Sequence, residues 1–211
     1  MAGAKICGIN TAAALDAALE GGARFVGFVV FPKSPRHVSR DQLSALAERA
    51  RGRAEIVVVT VDADEELLAG VAAYARPDWI QLHGRESAGK TAQARQYATR
   101  GLIKAIGVAG DADLKATASY EPVAEMLLFD AKAPLGGLPG GNAMAFDWRI
   151  LSGRRFGRPW LLSGGLTASN VAAAIAASGA ALVDVSSGVE SAPGIKDPSK
   201  IADFLAAANA A

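Results

Sequence analysis

The sequence has few of the residues on which disulfides, metal sites and electrostatic binding surfaces depend. Its 211 residues include one cysteine and two histidines, and the formal net charge is +1. One cysteine excludes an internal disulfide, and no Cys-x-x-Cys or His-x-x-x-His spacing indicates a metal site. A nearly neutral chain without a basic tail or an acidic run lacks the charge with which proteins bind nucleic acid. We therefore expect neither a metal ion nor nucleic acid as a partner.

Long apolar segments are missing as well. No apolar run approaches the roughly 20 residues that span a bilayer, and residues 1–5 run into a strand-like segment without the apolar stretch of a signal peptide. The single cysteine fits a reducing compartment. The sequence therefore predicts a cytoplasmic globular protein without a membrane partner. With 51% hydrophobic residues, the chain is able to bury one large core.

Short β-rich runs alternate with Ala- and Leu-rich amphipathic stretches along the whole chain. The predicted strands are residues 4–8, 25–31, 55–61, 79–83, 102–108, 126–131, 160–164 and 182–186. Such alternation requires right-handed crossovers and a parallel sheet. Eight units without a linker favour an α/β fold, a single-domain (β/α)8 TIM barrel with a closed parallel sheet over residues 1–211. An open doubly wound sheet is the alternative, which the absence of Gly-x-Gly-x-x-Gly after the first strand weakens.

Local signals predict where several helices begin and end. Ser39 and Gln42 form a capping box before an apolar periodic stretch. A helix is predicted over 86–100, stopped by a glycine, and another over 168–178, capped by Thr167.

The segment 133–142 breaks the alternation after strand six. It carries two prolines and four glycines, too many for a helix. We interpret it as a mobile loop over the site, followed by a short helix that starts near 146–148. A plain flexible connector is the alternative.

Two strand ends rich in glycine and serine predict a phosphate site. Strand seven runs into Gly164 and Gly165, and strand eight into Ser186, Ser187 and Gly188. Exposed backbone N–H groups at such ends bind phosphate. The loops after strands seven and eight are the usual phosphate-binding loops of a (β/α)8 barrel. We therefore expect these five residues to bind a phosphate group.

Polar side chains interrupt the apolar strands near their C-terminal ends. They are Lys5 and Cys7 in strand one, Gln81 and His83 in strand four, Lys104 in strand five, Asp130 in strand six and Asp184 in strand eight. Buried ions cost several kcal/mol unless they are paired or hydrated. We therefore expect all of them to face one polar mouth at the C-terminal end of the barrel, where barrel active sites lie. With Arg36 in the loop after strand two, they suit proton transfer on an anionic sugar phosphate.

Each polar residue also has a structural interpretation. Cys7 taken alone is typical of a small buried hydrophobe, and Asp184 suits a buried partner for Lys5 or Lys104. The other structural interpretations are a turn cap for Asp130, a hydrogen-bonded structural histidine for His83 and a solvated loop charge for Arg36. The conjunction of these residues on one rim favours the catalytic interpretation.

Ordered segments along the whole chain share the pattern of one enzyme family. These segments are 5–9 (KICGI), 27–36 (GFVVFPKSPR), 80–84 (IQLHG), 129–132 (FDAK), 146–148 (FDW), 162–166 (LSGGL), 183–190 (VDVSSGVE) and 193–197 (PGIKD). The chain resembles the phosphoribosylanthranilate isomerases of tryptophan biosynthesis, which are (β/α)8 barrels. One such segment alone would be unspecific, whereas the ordered set is highly specific.

The resemblance implies an Amadori rearrangement of N-(5-phosphoribosyl)anthranilate, an aminoaldose, to 1-(2-carboxyphenylamino)-1-deoxyribulose 5-phosphate, an aminoketose. Asp130 matches the general acid that protonates the ribose ring oxygen, and Cys7 matches the general base that takes the C2′ proton. Arg36 matches the residue that faces the anthranilate carboxylate. The remaining residues expected to contact the substrate are Gln81, His83 and Asp184.

The implied chemistry sets two requirements on the site. The thiol of Cys7 needs a cation or a helix terminus nearby to act as a base near neutral pH, and Lys5 on the same strand face is a candidate. Asp130 needs a raised pKa to stay protonated. No cofactor is required, because the substrate nitrogen serves as the electron sink. We expect a monomer that binds a small phosphoribosyl substrate, with a homodimer as the alternative.

The chain departs from the family pattern at two places. After strand six the family usually reads Gly-Gly-x-Gly-Lys before Phe-Asp-Trp, whereas residues 140–145 read GGNAMA, without the lysine. Strand seven carries Ser163 where alanine is common, a change that we expect to be tolerated.

Two other classes of function are the alternatives. One is a related barrel enzyme. The histidine-pathway aminoaldose isomerase would place an aspartate where this chain has Cys7, and indole-glycerol-phosphate synthase would need a lysine acid and a glutamate base. The other is a non-catalytic sugar-phosphate-binding barrel, against which the presence of both Cys7 and Asp130 argues.

Overall fold

Eight parallel strands form a closed barrel in the computed structural model, which describes residues 2–132 and 145–211. The strands are β1 (Gly3–Cys7), β2 (Phe25–Val30), β3 (Glu55–Thr60), β4 (Trp79–Leu82), β5 (Gly101–Val108), β6 (Met126–Ala131), β7 (Trp160–Leu162) and β8 (Leu182–Val185). Each strand pairs with the next in the chain, and β8 closes the sheet on β1 with Lys5 opposite Asp184. The predicted (β/α)8 barrel is confirmed.

Helices cover the outer face of the barrel. They are α1 (Ala12–Glu20), α2 (Arg40–Ala50), α3 (Glu65–Ala75), α4 (Ala88–Ala94), α5 (Thr117–Tyr120), α6 (Val171–Ser178) and α7 (Pro198–Asn209). Both hydrogen bonds of the predicted capping box are present between Ser39 and Gln42. A 3-10 helix at Trp148–Leu151 matches the short helix predicted after strand six. Within the described part of the chain, no helix combines the length and apolarity needed to cross a membrane.

Two predicted helix starts are wrong. α4 begins at Ala88 rather than at residue 86, because the Glu86 carboxylate is turned inward to Lys104 and Ser87 caps the helix. α6 begins at Val171, and Thr167 does not cap it. The Asn170 side chain instead accepts a hydrogen bond from the Thr167 N–H, so the chain makes a turn before the helix. The predicted loop at 133–142 and the departure at residues 140–144 lie outside the described residues.

Alternate residues of the strands fill the barrel interior. The inner apolar cluster consists of Cys7, Phe25, Val29, Val57, Val59, Trp79, Ile103, Ala105, Met126, Leu128, Leu161 and Leu182. The residues between them pack outward against the helices. Because side chains alternate along each strand, the same parity brings Lys5, Gln81, Asp130 and Asp184 to the inner face.

The prediction that Lys104 faces the polar mouth of the barrel is wrong. Lys104 alternates with Ile103 and Ala105, which belong to the inner cluster, and therefore lies on the outer face of β5. Its ammonium pairs with Glu86 at 2.8 Å and donates to the Leu82 and Gly84 carbonyls. The charge of this buried lysine is thus compensated in the helix layer, and Lys104 is not the partner of Asp184.

Candidate functional site

β1 and β8 place a buried ion pair at the C-terminal part of the barrel interior. Lys5 Nζ donates to Asp184 Oδ1 at 2.7 Å, and the two side chains are 0% and 4% exposed. The second carboxylate oxygen accepts from Ser163 Oγ at 3.0 Å, so the serine that departs from the family pattern has a defined partner. Burial lowers the pKa of Lys5, but Asp184 and Cys7 outweigh it and the pKa lies above its ordinary value.

Cys7 follows Lys5 on the same inner face and is nearly fully buried. A Cβ added at Gly27 on β2 would lie 3.1 Å from Lys5 Nζ and 3.2 Å from Cys7 Sγ, so this glycine leaves room for both groups. Burial raises the pKa of the Cys7 thiol, and Asp184 adds to the rise, whereas Lys5 and Lys196 lower it. The net shift of this pKa is upward, which favours the thiol over the thiolate.

A hairpin after β8 adds two charged residues that the sequence analysis did not select. It consists of β9 (Glu190–Ala192) and β10 (Ile195–Lys196). Glu190 binds Arg36 through both oxygens, at 2.7 Å to Nε and 2.9 Å to Nη2. Lys196 Nζ contacts Glu190 at 2.6 Å and donates to the Ser186 carbonyl at 2.8 Å. Arg36 is 8% exposed, so its structural interpretation as a solvated loop charge is wrong.

Burial and charge act in opposite directions in this cluster. Burial raises the pKa of Glu190, but Arg36 and Lys196 outweigh burial and hold it below its usual range. Burial lowers the pKa of Lys196 even though Glu190 opposes the shift. Both residues stand within the segments 183–190 and 193–197 that carry the family pattern, and that was the available signal for them.

β4 and β6 bring a second set of predicted site residues together. Gln81 Nε2 lies 2.7 Å from His83 Nδ1, and His83 Nε2 lies 3.3 Å from Asp130 Oδ2. The other oxygen of Asp130 accepts the Ala131 N–H at 2.9 Å. β5 runs between these strands and presents Gly107 opposite Asp130, so no side chain of β5 stands between His83 and the carboxylate. His83 therefore has a specific contact with the predicted acid.

The loops after β7 and β8 approach each other closely. Gly164 and Gly165 have φ values of +90° and +68°, and a Cβ at Gly164 would lie 2.8 Å from the Ala131 backbone nitrogen. A Cβ at Gly188 would overlap the Leu166 carbonyl oxygen. Glycine is thus required at Gly188, where the two loops meet, and at Gly164, where the loop after β7 meets the end of β6. Their binding of phosphate, like the substrate contacts of Arg36, Gln81, His83 and Asp184, stays a prediction.

The end of β1 at Cys7 lies next to the loop after β8. A Cβ at Gly8, the residue after Cys7, would lie 2.7 Å from Arg36 Cδ and 3.2 Å from Ser186 Oγ. Cys7, Arg36 and Ser186 are therefore close neighbours around this glycine. Across residues 2–132 and 145–211, no three His, Cys, Asp or Glu side chains are grouped so that they could hold a metal ion.

The chain is similar to known proteins over nearly its whole length. Residues 4–207 match the family described as N-(5′-phosphoribosyl)anthranilate (PRA) isomerase. The chain belongs to this family. It is 50% identical over 208 residues to the N-(5′-phosphoribosyl)anthranilate isomerase of Rhodospirillum centenum, which covers 98% of this chain and 97% of the relative. Members of the PRA isomerase family are enzymes of tryptophan biosynthesis.

Solved structures of PRA isomerases have the same fold. The crystal structure of phosphoribosyl anthranilate isomerase from Thermotoga maritima superposes with a TM-score of 0.88 at 34% identity, over 100% of both chains. A second structure is a complex with reduced 1-(o-carboxyphenylamino)-1-deoxyribulose 5-phosphate. It superposes with a TM-score of 0.84 at 32% identity, again over 100% of both chains.

Proposed function

We propose that this PRA isomerase family member catalyses the Amadori rearrangement of N-(5-phosphoribosyl)anthranilate, with Cys7 as the general base and Asp130 as the general acid. The observation that carries the proposal is the electrostatic contrast at one barrel mouth. Cys7 has the Lys5 ammonium on its own strand face, whereas Asp130 faces the His83 ring and a backbone N–H. The solved relative that holds a reduced aminoketose phosphate supports the substrate class.

The reaction balances without a cofactor. Asp130 gives its proton to the ribose ring oxygen, the bond from that oxygen to C1′ breaks, and the nitrogen lone pair forms a Schiff base. The Cys7 thiolate takes the C2′ proton, and the C–H electron pair forms the C1′–C2′ double bond while the iminium pair returns to nitrogen. The enolamine then loses the 2′-hydroxyl proton and gains one at C1′, which gives the ketone. Each proton taken from the substrate is matched by one returned.

The site offers partners for both anionic ends of this substrate. Backbone N–H groups in the loops after β7 and β8 suit the phosphate, because helix-like turns and glycine-rich loops point such donors outward. The proposed phosphate residues are Gly164, Gly165, Ser186, Ser187 and Gly188. The Arg36 guanidinium, which Glu190 holds in a fixed plane, suits the anthranilate carboxylate. The proposed contacts to the rest of the substrate are Gln81, His83 and Asp184.

Cys7 and Asp130 differ in the charges that surround them. Burial raises the pKa of Cys7, so the reactive thiolate is a minor form at neutral pH. Lys5 and Lys196 oppose the burial effect and keep this form accessible. The neighbouring cations therefore act on the base, and no equivalent cation faces Asp130 among the described residues.

The assembly state and the location of the protein are also proposals. Among the described residues, Ile195 is the exposed large hydrophobic side chain, with 59% of its surface accessible. Permanent dimer interfaces need a much larger apolar surface, so we propose a monomer. Sedimentation velocity at micromolar concentration tests this, and a dimer peak would contradict it. We also propose a cytoplasmic location, which cell fractionation tests.

The reaction and its acid–base pair are tested by one fluorescence assay. Freshly made phosphoribosylanthranilate loses its anthranilate fluorescence on turnover when excess indole-glycerol-phosphate synthase removes the product. We expect fast turnover by the wild type and a loss of about 100-fold or more in both Cys7→Ser and Asp130→Asn. Asp16→Asn, which removes an exposed carboxylate bound to Arg49, is the matched control and should stay active.

Each contrary result removes a defined part of the proposal. A wild-type protein without turnover contradicts the isomerase function and leaves a barrel that binds sugar phosphates. Normal turnover in Cys7→Ser or in Asp130→Asn keeps the function and removes that residue from the mechanism. A comparable loss in the Asp16→Asn control would show that the assay reports folding rather than chemistry.

A further inference from the structure

The contact between His83 and Asp130 raises a question about the charge of the imidazole. The ring nitrogen Nε2 lies 3.3 Å from the carboxylate oxygen. A protonated imidazole at this distance would form an ion pair and favour the carboxylate over the carboxylic acid. An acid that must carry a proton is therefore better served by a neutral histidine.

Gln81 decides which form of the ring fits. Its side chain is fully buried, and its amide nitrogen lies 2.7 Å from His83 Nδ1. An amide nitrogen only donates, so with this nitrogen turned to the ring Nδ1 is the acceptor, and the ring proton would sit on Nε2. Protonating Nδ1 as well would set one N–H against another. The neutral tautomer that remains directs its Nε2–H toward Asp130.

Among the described residues, the Gln81 amide makes one hydrogen bond, which is the contact with His83. Its Oε1 atom is buried and lacks a hydrogen-bond partner among the described residues. Buried polar groups are costly when they are unsatisfied, so such a group calls for an explanation beyond packing. The contact with His83 accounts for the amide nitrogen of Gln81, and Oε1 stays unpaired among the described residues.

We propose that Gln81 is a positioning residue that holds His83 as the neutral Nε2–H tautomer and thereby leaves Asp130 without a cationic partner. The inference rests on the proposed function for its catalytic meaning, because only an acid catalyst needs to keep its proton. The tautomer itself is a property of the folded protein and is measurable without substrate.

The charged groups around this contact are engaged elsewhere. On β8, Asp184 pairs with Lys5, and beside β4 and β5, Lys104 pairs with Glu86. After β6, Lys132 pairs with Asp113, and after β3, Asp62 accepts the Arg85 N–H. Among the described residues, the charge state of His83 therefore depends mainly on Gln81 and Asp130.

The tautomer is tested by long-range ¹H–¹⁵N correlation of the imidazole rings at neutral pH. The chain has two histidines, so His37→Asn leaves His83 as the single source of signal. We expect the wild-type ring to be neutral with its proton on Nε2. In Gln81→Glu the new carboxylate accepts from Nδ1–H, and we expect both nitrogens to be protonated at the same pH. A wild-type ring protonated on Nδ1, or a neutral ring in Gln81→Glu, overturns the proposal.

The consequence for Asp130 is tested by the pH dependence of kcat/KM. The acid must be protonated, so activity falls as pH rises and the carboxylate forms. An imidazolium in Gln81→Glu would stabilise the Asp130 carboxylate, and the descending limb should move to lower pH by about 1 to 3 units. Gln81→Leu removes the donor without adding charge, so we expect a slower enzyme whose descending limb does not move down.

The two measurements separate this inference from the proposed function. If the wild type has no isomerase activity, the function fails, and the spectrum still decides whether Gln81 fixes the tautomer. If the wild type is active and Gln81→Glu has an unchanged pH profile, Gln81 does not control Asp130 and the inference is overturned. The wild-type spectrum needs no substitution at Gln81, so misfolding of a variant leaves the test intact.

Discussion

The two halves of the barrel mouth differ in how they use charge. On the β1 and β8 side, Cys7 lies among the ions of Lys5, Asp184 and Lys196, which are buried and paired. On the β4 and β6 side, Asp130 faces the His83 imidazole, whose other nitrogen lies 2.7 Å from the Gln81 amide nitrogen. A cation favours ionisation of a neighbouring acid, and its absence favours the protonated form. The proposed mechanism relies on this difference, with Cys7 as the base on one side of the mouth and Asp130 as the acid on the other.

The largest effect on this contrast should come from Lys5. We expect Lys5→Met to lower kcat/KM by about 100-fold or more, because Cys7 loses its neighbouring cation. The same change leaves the buried Asp184 carboxylate without its charge partner and should cost about 3 to 5 kcal/mol of unfolding free energy. Urea unfolding and the fluorescence assay measure the two effects.

A double variant separates the structural and catalytic parts of the Lys5 effect. Lys5→Met with Asp184→Leu removes both charges, and apolar replacement of a buried pair is often neutral for stability. We expect the unfolding free energy to recover while activity stays low, because Cys7 lacks its cation and Asp184 is itself a proposed substrate contact. Recovery of activity in the double variant would show that Lys5 only neutralises Asp184.

A smaller effect is expected from the second lysine of the same half. Lys196→Met removes a cation that lowers the pKa of Cys7, so we expect that pKa to rise. The chain has one cysteine, so the rate of iodoacetamide alkylation against pH reports on Cys7 alone. The alkylation curve should move to higher pH, and kcat/KM should fall about tenfold.

Lys200→Met is the matched control for that experiment. Lys200 also stands in the C-terminal segment and donates to the Glu190 carbonyl at 2.7 Å, but it does not act on Cys7. We expect its alkylation curve to coincide with that of the wild type. An unshifted curve in Lys196→Met, or an equal shift in both variants, would remove Lys196 from the electrostatics of the base.

The barrel and much of the Asp130 half were predictable from local sequence. Buried parallel strands are apolar runs bounded by turn residues, so eight of them in alternation with helices identify the closed sheet. Gln81 and His83 are two residues apart in one strand, and alternation alone puts them on one face. Asp130 was predicted to face the same polar mouth, but its contact with His83 was not predicted, because it depends on how β4 and β6 approach each other across β5.

The Cys7 half was less predictable, because its contacts join distant parts of the chain. Glu190 and Arg36 are 154 positions apart, and no periodicity links a loop after β2 to a hairpin after β8. Lys104 shows a related limit, because alternation along a strand does not tell which of its two faces points into the barrel. Lys5 and Lys104 both interrupt apolar strands, but only the register of each strand decides that one faces inward and the other outward.

The smallest effect on activity is expected from a change at the Lys104–Glu86 ion pair. This change is therefore the strictest test of whether the two halves of the mouth differ. Glu86→Gln removes the charge partner of a buried lysine that lies outside the site. Burial raises the pKa of Glu86, but Lys104 and backbone N–H groups hold it below its ordinary value. A carboxyl group whose pKa is lower in the folded than in the unfolded protein stabilises the fold at pH values above its unfolded-state pKa. This stabilisation is lost as the pH falls through the folded-state pKa. We therefore expect Glu86→Gln to unfold more easily at pH 7 and to lose less stability on acidification than the wild type, with kcat/KM unchanged. Unfolding free energies at pH 7 and at about pH 4, together with the fluorescence assay, measure this. A drop in activity as large as that of Lys5→Met would mean that any buried ion pair of the barrel supports catalysis, and the distinction between the two halves of the mouth would lose its meaning.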